Sequence, residues 1–325
     1  MRISQFKAEK NLEWNGFLEN TKNSTFLFNR EFMDYHKDRF KDASLMVYNA
    51  QNEVIALMPA NVTENGDIIS HGGLTYGGLI VKREEKLLNV LEIFHGILKY
   101  LASEGFNSLI LKDFPKFYNN VPSEEIEYAL FLAQAEIFRR DTAIVIDQER
   151  PISYQTRRIR SIKKALKENV LIDDTEDFEL FWNRILTPNL IARHGVNPVH
   201  TLEEILRLKK DFPQEIILRT ASLNGKIMAG AVLFITPAVV HAQYISASEE
   251  GRKNGSLDYL FDSLIKSYKS IRYFDFGICN ENAGKDLNKG LLEWKEGFGG
   301  RTFCHNFYKI KTENHKLLTR FFTTD

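Results

Sequence analysis

The chain has 325 residues, of which 43% are apolar, and its formal net charge is zero. This length allows two domains with substantial cores, and the balanced charge excludes an overall field that attracts nucleic acid or anionic membranes. The N-terminus lacks the apolar segment of a secretory signal, and the longest apolar window, 229–242, is interrupted by Pro237 and too short to span a bilayer. We therefore expect a cytoplasmic protein without a membrane span.

Cysteine and histidine usage argues against a metal site. The two cysteines, Cys279 and Cys304, are too few for a disulfide framework or a thiolate zinc site, and the eight histidines show no metal-ligand spacing. We predict that no metal is bound and that each cysteine is a small buried hydrophobe.

The first half of the chain predicts an alternation of strands and helices, ending near Asp147. Its glycine pairs at 72–73 and 77–78 interrupt an extended segment, a pattern typical of a bulge or of close approach to the backbone. Residues 1–150 are assigned to a first domain. The predicted elements are a helix over 31–40, a hairpin of 44–48 and 54–60, extended pieces within 67–81, a helix over 85–103, a strand over 107–112, a helix over 123–135 and a strand over 140–146.

The second half, residues 151–325, is assigned to a second domain. Residues 154–167 predict a basic helix, for which a solvated face is the default interpretation, with contact to a polyphosphate donor or tRNA as the alternative. Asn224-Gly225 predicts a hairpin turn. The other predicted elements are a helix over 177–186, a polar loop over 189–198, a helix over 201–211 and strands over 215–220 and 226–235.

The segment 239–300 predicts a strand, a glycine-bearing loop, a helix and a second strand. Apolar residues from Leu257 to Tyr268 repeat with the helical period, and Ser256 suits the N-cap. Unpaired N–H groups at such a helix start favour anions, so the loop 248–256 is a candidate phosphate site. The alternative is an ordinary helix entry.

The two halves repeat one pattern. The turn at Asn52 corresponds to that at Asn224, and the helix starting near Glu85 corresponds to that starting near Leu257. Each half contains a hairpin, an interrupted third strand, a helix and a further strand, which predicts two similar domains.

This pattern resembles the acyl-CoA-binding core of GNAT acyltransferases. The doubling, with YFDFG at 273–277 and LLEWKEGFGG at 291–300, resembles the Fem-type (FemABX-like) aminoacyltransferases, and SHGGLTYGGL at 70–79 and RHGVNPVHTLEE at 193–204 resemble their polysaccharide-associated relatives. The resemblance implies an α/β (α+β) fold of two tandem GNAT-like domains, each a mixed, mostly antiparallel sheet flanked by helices.

The resemblance also implies a function. It implies a bacterial N-acyltransferase that uses acyl-CoA and acts on an amine of a cell-surface polysaccharide or amino-sugar precursor. Arg252, Gly255 and Ser256 match part of a GNAT pyrophosphate loop, although Leu257 replaces its last small residue. Aminoacyl-tRNA-dependent transfer to a peptidoglycan precursor is the alternative, less favoured because no coiled-coil arm is present. A non-catalytic scaffold is a third interpretation.

Four residues are candidates for catalysis. Tyr244 is a candidate proton donor, with a core tyrosine as the alternative. Asp275 is a candidate base, or else a structural partner of Lys295 or of a backbone amide. The resemblance makes Lys295 a candidate for stabilising the oxyanion, against a surface lysine. His71 is a candidate general base, against a turn residue.

Further residues are candidates for substrate binding. Tyr76 lies among glycines that favour a cleft, and Ser246 lies in a strand whose pairing we expect to break between Tyr244 and Ser246. Arg193 and His194 lie in the predicted polar loop, where the arginine suits a carboxylate or phosphate. A solvated loop is the alternative for the last two.

Overall fold

A computed structural model describes residues 1–174 and 176–322, with the side chain of His194 left out of the description. It confirms the predicted α/β class, with mixed sheets flanked by helices. The strands are β1 (Arg2–Gln5), β2 (Lys41–Asp42), β3 (Leu45–Tyr48), β4 (Val54–Met58), β5 (Asn61–Val62), β6 (Ile68–Ile69), β7 (Ile80–Val81), β8 (Ser108–Lys112), β9 (Glu136–Asp147), β10 (Leu171–Asp173), β11 (Ile216–Leu223), β12 (Lys226–Ile235), β13 (Val239–Ala247), β14 (Tyr273–Ile278), β15 (Asn280–Glu281), β16 (Asp286–Leu287) and β17 (Arg301–Lys311). The α-helices are α1 (Asn11–Leu18), α2 (Arg30–Met33), α3 (Leu87–Ser103), α4 (Glu125–Leu132), α5 (Thr156–Lys167), α6 (Phe178–Phe181), α7 (Thr187–His194), α8 (Leu202–Asp211), α9 (Glu249–Lys253), α10 (Ser256–Ser267) and α11 (Lys289–Glu296).

The chain forms two compact units. The first contains residues 1–141, 283–285 and the C-terminal segment from Cys304, and the second contains residues 142–282 and 286–303. This division differs from a boundary near residue 150 because the last strand, β17, pairs antiparallel with β8 of the first unit. Strand pairing between distant segments leaves no local signal in the sequence.

The first unit contains two groups of strands. β1, β3, β4 and β7 form an antiparallel sheet, while β6 pairs in parallel with β8. The helix α3 buries Phe94, Ile97 and Leu98 against this part of the core, as its predicted apolar stripe requires. The helix predicted over 31–40 is instead the short α2 followed by a 3-10 turn at Asp34–His36.

The second unit contains a mixed sheet in the order β10, β11, β12, β13, β14 and β9. β13 and β14 form its parallel pair, and α10 connects them. Phe261 of α10 packs against Phe274, Phe276 and Phe298, so the predicted helical stripe faces the core. Asn224 has a φ of 52° in the β11–β12 hairpin, and Asn52 has a φ of 62° at the corresponding turn of the first unit.

Two segments predicted as loops contain helices. Residues 187–194 form α7, with Pro188 in its first turn and Gly195 as a left-handed C-cap with a φ of 66°. Residues 249–253 form α9, so the segment after β13 is not an open glycine loop. No helix in the described residues is both long and apolar enough to cross a membrane.

Candidate active site

The candidate site lies where β13 and β14 stop pairing. Their parallel ladder joins Val239–His241 to Tyr273–Asp275 and ends there, although β13 continues to Ala247 and β14 to Ile278. Gln243 has no counterpart in β12 and forms a bulge just beyond this point. Ligands of α/β sheets commonly bind beyond the carboxyl ends of parallel strands. We call residues 241–247 and 275–278 the strand fork.

A histidine and an aspartate pair at the base of the strand fork. Nδ1 of His241 lies 2.8 Å from Oδ2 of Asp275, and Oδ1 of Asp275 accepts a hydrogen bond of 2.7 Å from the backbone N–H of Gly277. The two side chains are largely buried, with 12% and 5% of their surface exposed. A carboxylate that accepts from Nδ1 selects the tautomer with a lone pair on Nε2. Since Nε2 has no hydrogen bond to any described residue, it is available to accept a proton.

Lys295 holds the end of β14. Its Nζ donates to the backbone carbonyls of Gly277 at 3.0 Å and Ile278 at 2.8 Å, and the residue is only 3% exposed. Burial lowers the pKa of Lys295, while neighbouring Cys279 and Asp275 oppose this effect. Gly277 has a φ of 73°, so the ammonium supports carbonyls where the strand leaves its extended path. Lys295 is therefore a buried residue beside the strand fork, and its proposed contact with an oxyanion stays a prediction.

The two cysteines have different environments. Cys279 is buried, and burial raises the pKa of its thiol although Lys295 lowers it. This cysteine therefore remains a thiol at neutral pH, which suits a packing role. Cys304 is exposed, so its prediction as a buried hydrophobe is wrong.

The side chains of Tyr244 and Ser246 in β13 form hydrogen bonds with the segment that contains α7 and the start of α8. The hydroxyl of Tyr244 accepts a hydrogen bond of 3.0 Å from the backbone N–H of His200 and lies 2.6 Å from its Nδ1. Oγ of Ser246 accepts a hydrogen bond of 2.9 Å from Nδ2 of Asn189. Both residues pair with β12 in register, so the interruption of that ladder stands at Gln243, one residue before the predicted position.

The predicted phosphate segment does not fit a pyrophosphate. Its first helical turn, in α9, begins with Glu249 and Glu250, whose charges oppose a phosphate. Arg252 donates to the carbonyl of Ala247. The backbone N–H and the Oγ of Ser256 both donate to Oδ1 of Asn254, at 3.0 and 2.7 Å. One guanidinium nitrogen of Arg252 and both donors of Ser256 are thus used within the protein.

Gly255 is required by packing between helices. It is the N-cap of α10 with a φ of 88°, in place of the predicted Ser256. A Cβ atom at this position would lie 2.2 Å from the backbone oxygen of Ser161 in α5. The backbone of α5 therefore occupies the space beside the glycine, so packing against α5 is sufficient to explain a glycine at this position.

Arg193 lies on the helix α7 and is exposed. Burial is the main cause that lowers the pKa of Arg252, and the positive charge of Arg193 lowers it further. The two guanidinium groups therefore influence one another, and Arg193 stays a candidate for binding an anion. The side chain of His194, predicted beside it, lies outside the described part of the structure.

His71 lies in the first unit and is buried, with a φ of 56°. Burial, followed by the charges of His36, Lys112 and Arg30, lowers the pKa of His71 to about 3. An imidazole with this pKa is neutral at physiological pH and a weak base, which disfavours the predicted general-base role.

Tyr76 also lies in the first unit, in an aromatic cluster. Its hydroxyl lies 2.9 Å from Oγ1 of Thr25, and its ring contacts Phe28 and Phe114 edge-on. The residue is 2% exposed. This environment favours a core role over the predicted contact with substrate.

His241 is the residue that sequence reasoning missed. Its neighbours Val240 and Ala242 belong to the core, so period-two alternation places His241 on the opposite face, as it does Asp275 between Phe274 and Phe276. In the sequence, each of the two residues is an isolated polar residue within an apolar strand. Only the parallel register of β13 and β14, which pairs His241 with Asp275, brings them together.

The comparisons with known proteins define the fold. No protein-family model and no curated protein sequence matches the chain. The chain is similar to the crystal structure of FemX, with a TM-score of 0.66 and 11% identity over 99% of this chain and 100% of that chain. It is also similar to L-PGS from Bacillus licheniformis, with a TM-score of 0.59 and 11% identity over 99% of each chain.

A third structure gives the same result. It is the C-terminal (DUF2156) domain of a protein assigned as a lysylphosphatidylglycerol synthetase in Agrobacterium fabrum, with a TM-score of 0.59 and 12% identity over 96% of this chain and 95% of that chain. At these identities the similarities show a shared fold, and they confirm the Fem-like α/β fold predicted from the sequence. Among the described residues, no group of three or more His, Cys, Asp or Glu side chains is arranged to hold a metal ion.

Proposed function

We propose that the protein transfers an acyl group to an amine at the strand fork. The observation that carries this proposal is the His241–Asp275 pair at 2.8 Å, placed where the two parallel strands of a GNAT-like sheet stop pairing. A histidine oriented by a buried carboxylate is the arrangement that general-base catalysis requires. The fold similarity supports transferase chemistry, and the pair supplies a residue able to take up the proton.

The proposed reaction uses this pair in one proton transfer. The amine nitrogen attacks the acyl carbon, a new C–N bond forms, and the bond from that carbon to the leaving oxygen or sulfur breaks. Nε2 of His241 accepts the proton released by the attacking nitrogen and returns it to the leaving group. Asp275 stabilises the imidazolium that exists between these steps. A positioned base of this kind contributes about 10²–10⁴-fold to rate.

The donor is the point on which two candidate functions differ. The first is transfer to an amino sugar or another precursor of a cell-surface polysaccharide. The resemblance implies acyl-CoA for this reaction, but the segment around Arg252 does not fit its diphosphate, so no step is routed through coenzyme A.

The second candidate is transfer of an aminoacyl group from its tRNA ester to a peptidoglycan precursor. One observation favours it: α5 exposes five cationic residues, which can neutralise a polyanion. These residues are Arg157, Arg160, Lys163, Lys164 and Lys167. The similarity to FemX over the whole chain agrees with this candidate.

Parallel assays with two labelled donors separate the candidates. The purified full chain is incubated with radiolabelled acetyl-CoA and amino sugars, and separately with charged tRNA and a peptidoglycan precursor. Transfer in one arm identifies the donor class. If neither label moves, both candidates fail and the non-catalytic scaffold remains.

Replacement of the paired histidine tests the site itself. His241→Gln should reduce kcat by about 10²–10⁴-fold because no group remains at this position to take up the proton. The matched control is His315→Gln, which changes a histidine of the first unit and should leave kcat unchanged. Full activity in His241→Gln would refute the strand fork as the reaction site.

A further inference from the structure

The second unit contains a cavity away from the strand fork. It has a volume of about 570 Å³ and lies between α5, the C-terminal half of α10 and the segment 148–154. This volume is within the range of about 300–1,000 Å³ that is typical of ligand pockets. It lies on the helix-covered side of the sheet, because Ile162 and Ile265 line it and pack with the core that contains Phe274 and Phe276. His241 and Asp275 point to the other side by alternation.

The lining of this cavity is largely aliphatic. Three of its apolar side chains are exposed to solvent rather than covered by the protein, with exposed fractions of 36% for Ile152, 41% for Ile159 and 49% for Leu166. Ile162 and Ile265 form its floor and are buried. Apolar surface left open in a concave site favours an apolar ligand, since covering it removes hydrocarbon from water.

Cations line the same cavity. Lys163, Lys266 and Lys269 contribute to the lining, and neither Lys163 nor Lys269 has an ion-pair partner in the described residues. Among the described lining residues, Asp262 alone is acidic, and it accepts from Lys266 at 2.7 Å. Burial and then the charge of Asp262 raise the pKa of Tyr154, which stays protonated and donates to that carboxylate. The carboxylate is thus occupied, and the lysines leave excess positive charge.

We propose that this cavity binds a single-chain anionic amphiphile, an alkyl or acyl chain that carries a phosphate or carboxylate head. The chain lies along the aliphatic lining formed by Ile152, Ile159 and Leu166. The head lies against Lys163 and Lys269, which provide donors and charge complementarity. This site is separate from the strand fork, so it stands whether or not acyl transfer occurs there.

The site is tested by calorimetric titration of the full chain with octyl and decyl phosphate below their micellar concentrations. We expect binding that tightens about fourfold for each added methylene, as burial of hydrocarbon requires. Decanol should bind more weakly than decyl phosphate, and inorganic phosphate should give no measurable heat. If decyl phosphate does not bind at millimolar concentration, or if binding does not depend on chain length, the proposal is wrong.

Two exposed positions provide variants that preserve the fold. Ile159→Asp places a carboxylate on the aliphatic lining, and Lys163→Glu reverses the charge at the head position. Each should weaken binding of decyl phosphate by about tenfold or more, with an unchanged melting temperature. The matched control is Arg160→Glu, which makes the same charge change on the same helix outside the cavity. Equal weakening by Lys163→Glu and Arg160→Glu would show a general field effect and overturn the proposal.

A third arm distinguishes a free amphiphile from a membrane surface. Vesicles of anionic phosphatidylglycerol are sedimented with the protein and with Ile159→Asp. We expect little sedimentation of either protein. Sedimentation that Ile159→Asp abolishes, together with no uptake of monomeric decyl phosphate, would assign the surface to a membrane and refute the proposed occupant.

Discussion

Replacing Gly255 with alanine should destabilise the protein through helix packing. A Cβ atom at this position would lie 2.2 Å from the oxygen and 2.9 Å from the carbonyl carbon of Ser161, and both belong to the backbone of α5. Overpacking of this kind costs about 1–3 kcal/mol. The φ of 88° adds about 1–2 kcal/mol for a residue with a side chain. We expect a loss of about 2–5 kcal/mol in the free energy of unfolding.

Gly225→Ala is the matched control for this variant. Gly225 also has a positive φ, of 74°, but no atom lies within 4 Å of the position that a Cβ atom would take there. This control carries only the backbone cost of about 1–2 kcal/mol, so the difference between the variants isolates the contact with α5. Thermal unfolding followed by circular dichroism measures it, with about 2–4 °C expected per kcal/mol for a domain of this size.

The same pair of variants tests the two roles of the glycine. If Gly255→Ala lowers the melting temperature no more than Gly225→Ala, the packing argument is refuted. If it also abolishes binding of acyl-CoA while stability matches the control, the glycine serves a ligand, as the GNAT resemblance implies. We expect the larger loss of stability for Gly255→Ala.

Three further predictions concern buried polar groups. Lys295→Met should lower the free energy of unfolding by about 1–3 kcal/mol because two backbone carbonyls lose their donor; an unchanged urea midpoint would contradict this role. Tyr244→Phe should lower the free energy of unfolding by about 1–3 kcal/mol, since the backbone N–H of His200 loses its acceptor. The pH–rate profile should stay intact in this variant. Loss of the basic limb of the profile would favour the proton-donor role. Burial raises the pKa of Asp113 to about 7. Between about pH 4 and 7 the folded protein keeps this proton while the unfolded chain has lost it, so the carboxyl reduces stability increasingly as the pH rises. Asp113→Asn should therefore stabilise the protein by about 1–4 kcal/mol at pH 7.5 and little at pH 4, as measured by urea titrations. An equal stabilisation at both pH values would show that the pKa of Asp113 is not raised.

Local signals in the sequence predicted much of the fold. The stripe from Leu257 to Tyr268 and the turn at Asn224-Gly225 depend on residues close in the chain, and both predictions are confirmed. The helix α7 was missed although its signals were present, because Pro188 suits a first turn and Gly195 suits a left-handed C-cap. The polar residues among 189–198, including Asn189, Arg193 and Asn197, outweighed these signals.

The candidate site could not be predicted from local patterns in the sequence, because its residues are brought together by long-range strand pairing. His241 meets Asp275 only because two strands separated by the helix α10 pair in one parallel register. A shift of that register by one residue would turn one of the two side chains to the opposite face. The burial of Lys295 likewise depends on α11 packing against the end of β14, which no local pattern around Trp294-Lys295 predicts.

Buried lysines support irregular backbone in both units. In the first unit, Nζ of Lys112 donates to the carbonyls of His71, Gly72 and Leu74, where His71 has a φ of 56°. In the second unit, Lys295 does the same for Gly277 and Ile278 beside a φ of 73°. Each ammonium supplies several donors at a point where an extended segment stops following its ladder. The backbone N–H of Gly277 donates to Asp275, and Asp275 in turn pairs with His241. By holding the end of β14, Lys295 therefore also helps to fix the orientation of the His241 ring. We therefore expect Lys295 to affect the proposed reaction by positioning the histidine, even without touching the substrate.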